Sequence, residues 1–138
     1  MSVPGLYYNV IQGLLQKTQK NEVIWNTTTD ANTFIVYFDK FSLSIRQKYQ
    51  GDFNNPETWI TIGIINDEGE KIDGFEIEEG DTGWNEMSEL FTLARRSALF
   101  IDKAIKTILT EIDKKGIIGK KKKDDGGSSG DFTDDIPF

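Results

Sequence analysis

The stretch DFTDDIPF, residues 131–138, gathers the side chains of this chain best suited to docking into a foreign pocket. Phe138 puts an aromatic ring and, as the last residue, a free α-carboxylate on one unit, so a socket with an apolar floor and an Arg or Lys at its lip can hold both. Pro137 restricts the backbone and lowers the cost of ordering it, Ile136 adds a second apolar contact, and Asp134 and Asp135 are drawn to a basic rim. Phe132 stands where it can extend the contact. Burying the ring contributes about 2 kcal/mol, and a charge-assisted bond to the carboxylate about 1.5–3 kcal/mol. After the costs of association, such a peptide binds at roughly micromolar strength. This is the chemistry of recognition rather than catalysis.

A second constellation lies on strand-like stretches. Alternation through NTFIVYFDK, FSLSIRQKYQ and TWITIGII separates two faces. Phe34, Val36, Phe38, Leu43, Ile45, Ile60, Ile62 and Ile64 form an apolar set expected to meet helices. The opposite set holds Tyr37, Ser42, Ser44, Arg46, Lys48, Trp59 and Thr61, joined by Trp25 and Thr27. Aromatics interleaved with hydroxyls and two cations on an open sheet are what stacking of single-stranded bases uses, at about 1–3 kcal/mol per base. Exposed aromatics serve a protein partner or a dimer interface equally well. On these residues, Trp59, Tyr37, Arg46, Lys48 and Trp25 are the candidate nucleic-acid contacts, with a protein interface as the alternative.

Composition removes several other chemistries. There is no cysteine and no histidine, so thiolate metal sites, disulfides, Cys nucleophiles and the usual general base are all missing. The net charge is −7, with 12 Lys/Arg against 18 Asp/Glu in residues 1–119, so the body of the protein is acidic before its last segment is counted. Phosphate binding by counterion release wants clustered cations, and a DNA contact has to find a local basic strip on that body. Lys120–Lys123 form a run that can steer nucleic acid, but beside Asp124 and Asp125 they read first as a solvated linker. Arg95 and Arg96 fit the outer side of a helix. Glu76, Glu78, Glu79 and Asp81 cluster in the sequence without the spacing of a cation loop, and no phosphate-cradling glycine motif is present. Neither an enzyme nor a cofactor is expected.

The elements that must position these residues follow from periodicity. Leu6, Tyr7, Val10, Ile11, Leu14 and Leu15 predict a short N-terminal helix. Period-two stretches then predict an antiparallel meander of four to five strands, with a hairpin turn at NDEG 66–69 and a longer loop at 51–57. From Trp84 to Lys115, Met87, Phe91, Ala94, Ala98, Ile101, Ile105, Ile108 and Ile112 step by four and three. That spacing predicts one long helix packed on a sheet face. The fold expected is α+β, with residues 1–115 as the core domain, 116–130 as a flexible Lys/Gly/Ser linker and 131–138 as a docking tip. No segment reaches the roughly 18 apolar residues of a membrane span, and Met1–Thr18 lacks the pattern of a secretory signal, so a cytoplasmic protein without membrane contacts is expected.

The Gly/Ser-rich stretch, its acidic continuation and the closing Asp-Asp-Ile-Pro-Phe resemble the C-terminal tip of bacterial single-stranded DNA-binding proteins, the segment that recruits replication, recombination and repair enzymes. The likeness covers about the last 15 residues. It implies that Phe138 and Pro137 fill the partner's pocket, Ile136 supports them, and Asp134 and Asp135 meet its basic rim. It does not extend inward, because that family opens directly into an OB-fold strand and does not close its core with a long helix. The expectation is a non-enzymatic protein of single-stranded DNA metabolism, acting as an oligomer in a bacterial or phage-infected cell. The alternative is an adaptor or decoy whose core binds another protein.

Overall fold

The computed structural model describes residues 3–122. Lys123, the rest of the linker, and Phe132, Asp134, Asp135, Ile136, Pro137 and Phe138 lie outside the described residues. Helix α1 spans Gly5–Gln19; strands β1 (Asn26–Thr27), β2 (Thr33–Tyr37), β3 (Phe41–Asp52), β4 (Asn55–Asn66) and β5 (Lys71–Glu78) follow; helices α2 (Trp84–Ala98) and α3 (Ile101–Ile112) complete it. All five strands pair antiparallel in sequence order, giving the α+β meander that the alternation predicts.

The core lies between one face of the sheet and helices α1 and α2. Phe34, Val36, Leu43, Ile45, Ile60, Ile62 and Ile77 point to this side and are buried. Ile11, Leu14 and Leu15 from α1, with Met87, Leu90, Phe91, Ala94 and Ala98 from α2, close over them. Each fully buried Ile, Leu or Phe contributes about 1.5–3 kcal/mol relative to exposure. The rings of Phe34 and Phe91 meet at 5.6 Å, tilted by 55°. Phe38 departs from its expected place. It sits past the end of β2, where the chain has turned off the pleat, and is exposed. On α1, Leu6 and Val10 are also exposed, because the inward stripe runs through Tyr7, Ile11, Leu14 and Thr18.

One of the two turns flanking β4 is tighter than composition suggests. The region 51–57 is strand rather than loop: β3 continues to Asp52, β4 resumes at Asn55, and only Phe53 and Asn54 turn the corner. Gly51 makes this possible at φ +82°, where an added Cβ would stand 2.2 Å from the Asn55 carbonyl oxygen. Asp52 Oδ1 accepts the Asn55 N–H at 2.8 Å and closes the turn. At the other end the 66–69 hairpin is present as predicted, with Asn66 Oδ1 accepting the N–H groups of Glu68 and Glu70 at 3.0 and 2.9 Å.

The predicted helix over 84–115 is two helices. Leu99 and Phe100 interrupt it, Phe100 at φ +53°, and Arg96 on one side forms an ion pair with Asp102 on the other. The apolar repeat runs unbroken through the interruption in the sequence, but the stripe's last residue in the core is Ala98. A first compact unit ends at Asp102, within α3. No residue of α3 is buried. Among the described residues no helix is long and apolar enough to cross a membrane.

Candidate binding face of the sheet

Strand register assembles the surface opposite the helices. Tyr37 pairs with Ser42, Thr33 with Arg46 and Arg46 with Thr61, while Lys48 pairs with Trp59 and Trp59 with Glu78. These residues alternate with the buried set, so Tyr37, Ser42, Ser44, Arg46, Lys48, Trp59 and Thr61 share the outer face. The two aromatics stand apart. Ser42 and Lys48 mark their levels on β3, six positions and roughly 20 Å from each other.

The two cations expected on this face, Arg46 and Lys48, are already engaged. Arg46 Nε lies 3.3 Å from Asp30 Oδ2. Asp30 is held in place by the Asn32 N–H at 3.0 Å and the Thr33 hydroxyl at 2.8 Å, which with the Arg46 charge keep its carboxyl below the usual range. Lys48 Nζ lies 3.0 Å from Glu76 Oε2 and 6.0 Å from the centre of the Trp59 ring. One side of the indole therefore faces an ammonium that is itself paired, and Trp59 Nε1 donates to Glu57 Oε1 at 3.4 Å. Partly exposed pairs of this kind stabilise a fold by about 0–1 kcal/mol. Their larger effect is on availability, since a phosphate must displace a carboxylate to reach either cation.

Sequence reasoning missed three members of this surface. Asp30 lies in the loop before β2, and only the folded chain brings it beside Arg46. Glu76 entered as part of an acidic cluster, although its alternation with Ile77 already placed it on the outer face of β5. Lys71 lays its aliphatic stem across the glycine pair of β4 and β5: an added Cβ on Gly63 would meet its Cε at 3.3 Å, and one on Gly74 at 3.0 Å.

Trp25 does not belong to the face. It is 3% exposed, packed in the core beside α1, and its indole N–H donates to Thr18 Oγ1 at 3.1 Å. The strand it precedes is only two residues long, too short for alternation to set its side, and the indole is a core aromatic whose N–H finds one buried polar partner. Thr27 pairs with Phe34 and so lies on the helix side of the register. Arg95 is exposed on α2, and Lys120, Lys121 and Lys122 are exposed beyond α3. Glu78 donates its backbone N–H to Asp81 Oδ2 at 2.8 Å, so part of the acidic cluster closes a turn. Among the described residues no group of three or more acidic side chains is placed to hold a metal ion.

Comparison with protein-family models, with curated proteins and with solved structures finds no match to this chain. The fold and the face therefore define its class by themselves: an α+β meander with a helix-covered side and a polar, aromatic, charge-paired side.

Proposed function

We propose that this protein is a non-enzymatic adaptor of DNA maintenance. Its core binds another protein through the outer sheet face, and its DFTDDIPF segment occupies pockets that otherwise take the tip of a single-stranded DNA-binding protein. The observation that carries the core half of this reading is the commitment of Arg46 to Asp30 and of Lys48 to Glu76 on a sheet bordered by acidic β5. A single strand gains affinity by releasing counterions from its phosphates onto free cations, and here the two expected cations are neutralised in place. Aromatic side chains rimmed by paired charge fit a protein interface. The tail half rests on the likeness of its closing residues to that tip.

A second reading is favoured by one arrangement: Lys48 over the Trp59 ring, with Tyr37 and Arg46 on the same surface. A cation beside a stacking platform is the working unit of single-strand binding, and in this reading the core binds ssDNA while the tail recruits replication, recombination or repair enzymes.

Titrating labelled oligo-dT with the full chain, and with a chain ending at residue 130, at two salt concentrations separates them. The adaptor reading expects no salt-sensitive complex from either. A complex that weakens with salt and with Trp59→Ala overturns it in favour of the second reading. A free peptide of residues 131–138 should displace a single-stranded DNA-binding protein's tip peptide from a repair exonuclease or helicase that holds it, and an amidated copy should do so less well. Failure of the free peptide to compete removes the tail half of the proposal.

A further inference from the structure

A cavity of about 430 Å³ opens at the end of the outer face where the β2–β3 and β4–β5 turns stand side by side. Its floor is apolar: Ile35, 8% exposed, and half-buried Ile65. Three aromatic residues wall it, Tyr37, Phe38 and Phe41. Two of them close the first turn, the Phe38 N–H donating to the Phe41 carbonyl at 2.8 Å, so these walls are tied together by the backbone. The second turn is equally fixed: the Gly69 N–H reaches the Asn66 carbonyl at 3.0 Å, and Asn66 Nδ2 reaches Glu70 Oε1 at 3.0 Å. At the rim stand Asp39 and Asp67, one from each turn, with Lys40 between the walls. Unlike Arg46 and Lys48, none of these three charged residues has an ion pair among the described residues.

Ring faces carry negative potential, and so do carboxylates. A guest that satisfies both is a cation with a flat, weakly hydrated body, since it can stack on a ring while its N–H groups fork onto a carboxylate. Glu68 and Glu70, in the same turn as Asp67, add to the field. An anionic guest would meet the carboxylates of Asp39 and Asp67 for the one ammonium, that of Lys40, among the residues that line the cavity. The volume is that of a small-ligand site, ample for one side chain.

We infer that this cavity is a receptor for the guanidinium of an arginine presented by a protein partner. The inference deepens the adaptor reading by naming what the core recognises, and it is independent of the tail. Lys40 is then a tuning residue that weakens the grip.

The test is a titration of the isotope-labelled full chain with a short acetylated and amidated Gly-Arg-Gly peptide, followed by backbone amide shifts. The expected result is saturable shifts confined to Tyr37–Ser42 and Ile65–Gly69, with the citrulline analogue giving none. Asp67→Asn and Tyr37→Ala should each weaken binding at least fivefold, while Lys40→Ala should tighten it about twofold. All three positions are exposed, and an unchanged spectrum for the core amides of Ile45, Ile60 and Ile77 confirms that each variant is folded. Equal shifts from arginine and citrulline peptides overturn the inference, as do shifts without saturation. Weaker binding in Lys40→Ala also overturns it, because the Lys40 ammonium would then be supporting the guest rather than opposing a guanidinium. A negative result here leaves the docking of the tail standing, and a tail that fails to dock leaves this site standing.

Discussion

Lys48 on β3 and Glu76 on β5 join across the intervening strand β4, ammonium to carboxylate at 3.0 Å, with the indole of Trp59 directly beside them. The contact converts a surface that alternation paints as basic into one that is charge-balanced. It also makes the nucleic-acid question experimentally reversible. Removing Glu76 and Asp30 frees both cations without touching a core residue.

The double variant Glu76→Gln, Asp30→Asn should therefore bind oligo-dT more tightly than the parent chain, and in a salt-sensitive way. Both pairs are partly exposed, so the variant should stay folded with a small loss of stability. Fluorescence anisotropy at low and moderate salt checks the first outcome, and urea denaturation the second. If the variant binds no better than the parent chain, pairing of the two cations does not limit single-strand binding at this face.

Trp25 leads to a prediction of the opposite kind. Its indole and the Thr18 hydroxyl are both buried and satisfy each other, at 3% and 5% exposure. Trp25→Phe keeps most of the apolar volume but orphans the Thr18 oxygen, at a cost of about 1–2 kcal/mol. Trp25→Ala also opens a cavity and should cost about 3–5 kcal/mol. Neither change should alter any binding measured on the outer face, whereas Trp59→Ala should alter binding with little loss of stability.

Much of this architecture is legible in the sequence, and the residues show why the rest is not. Phe34 with Val36, Leu43 with Ile45, and Ile60 with Ile62 each repeat the period of two, and all six are buried. Trp25 precedes a two-residue strand, where a period cannot be measured. The loop expected at 51–57 follows from its Gly, Asn and Pro content, but one glycine at positive φ and one aspartate cap let the ladder pass through those residues. For the outer face, identity was readable and charge state was not. Arg46 and Lys48 are visible in β3, whereas Asp30 and Glu76 reach them only after a loop and two strands have folded.

The helix break hides for a different reason: the four-and-three repeat from Met87 to Ile112 fits one continuous helix. What interrupts it is the backbone at Phe100, in the left-handed region at φ +53°. In a continuous helix, Phe100→Gly would cost up to about 1 kcal/mol of propensity. In the observed conformation it relieves the crowding of Cβ, worth about 1–2 kcal/mol, and the sign reverses. Urea denaturation of Phe100→Gly should thus show equal or greater stability than the parent, and a clear loss would mean that the two helices are continuous in solution.

The pH dependence of stability should carry the signature of one contact between α1 and β5. Tyr7 donates its hydroxyl to Asp73 Oδ2 at 2.6 Å, and its ring packs on Phe75 at 4.6 Å. Burial, then the hydrogen bond and charge of Asp73, push the Tyr7 hydroxyl up to about 12. The same hydroxyl, followed by the Gly74 N–H, holds the Asp73 carboxyl below its usual range. The signs are opposite. A depressed carboxyl contributes stability above its unfolded value, near 3.9, and loses it as pH falls through the folded value. A raised phenol contributes below its unfolded value, near 10, and loses that as pH rises toward 12. Tyr7→Phe removes the phenol's contribution and the hydroxyl's share of the Asp73 depression, leaving the share of the Gly74 N–H. The difference in urea midpoint between parent and Tyr7→Phe should accordingly be flat from about pH 5 to 9, shrink on the acid side as Asp73 protonates, and shrink again above about pH 10. A difference that persists unchanged in acid would mean that the hydroxyl contributes nothing through Asp73, and that the gap comes from packing on Phe75 alone.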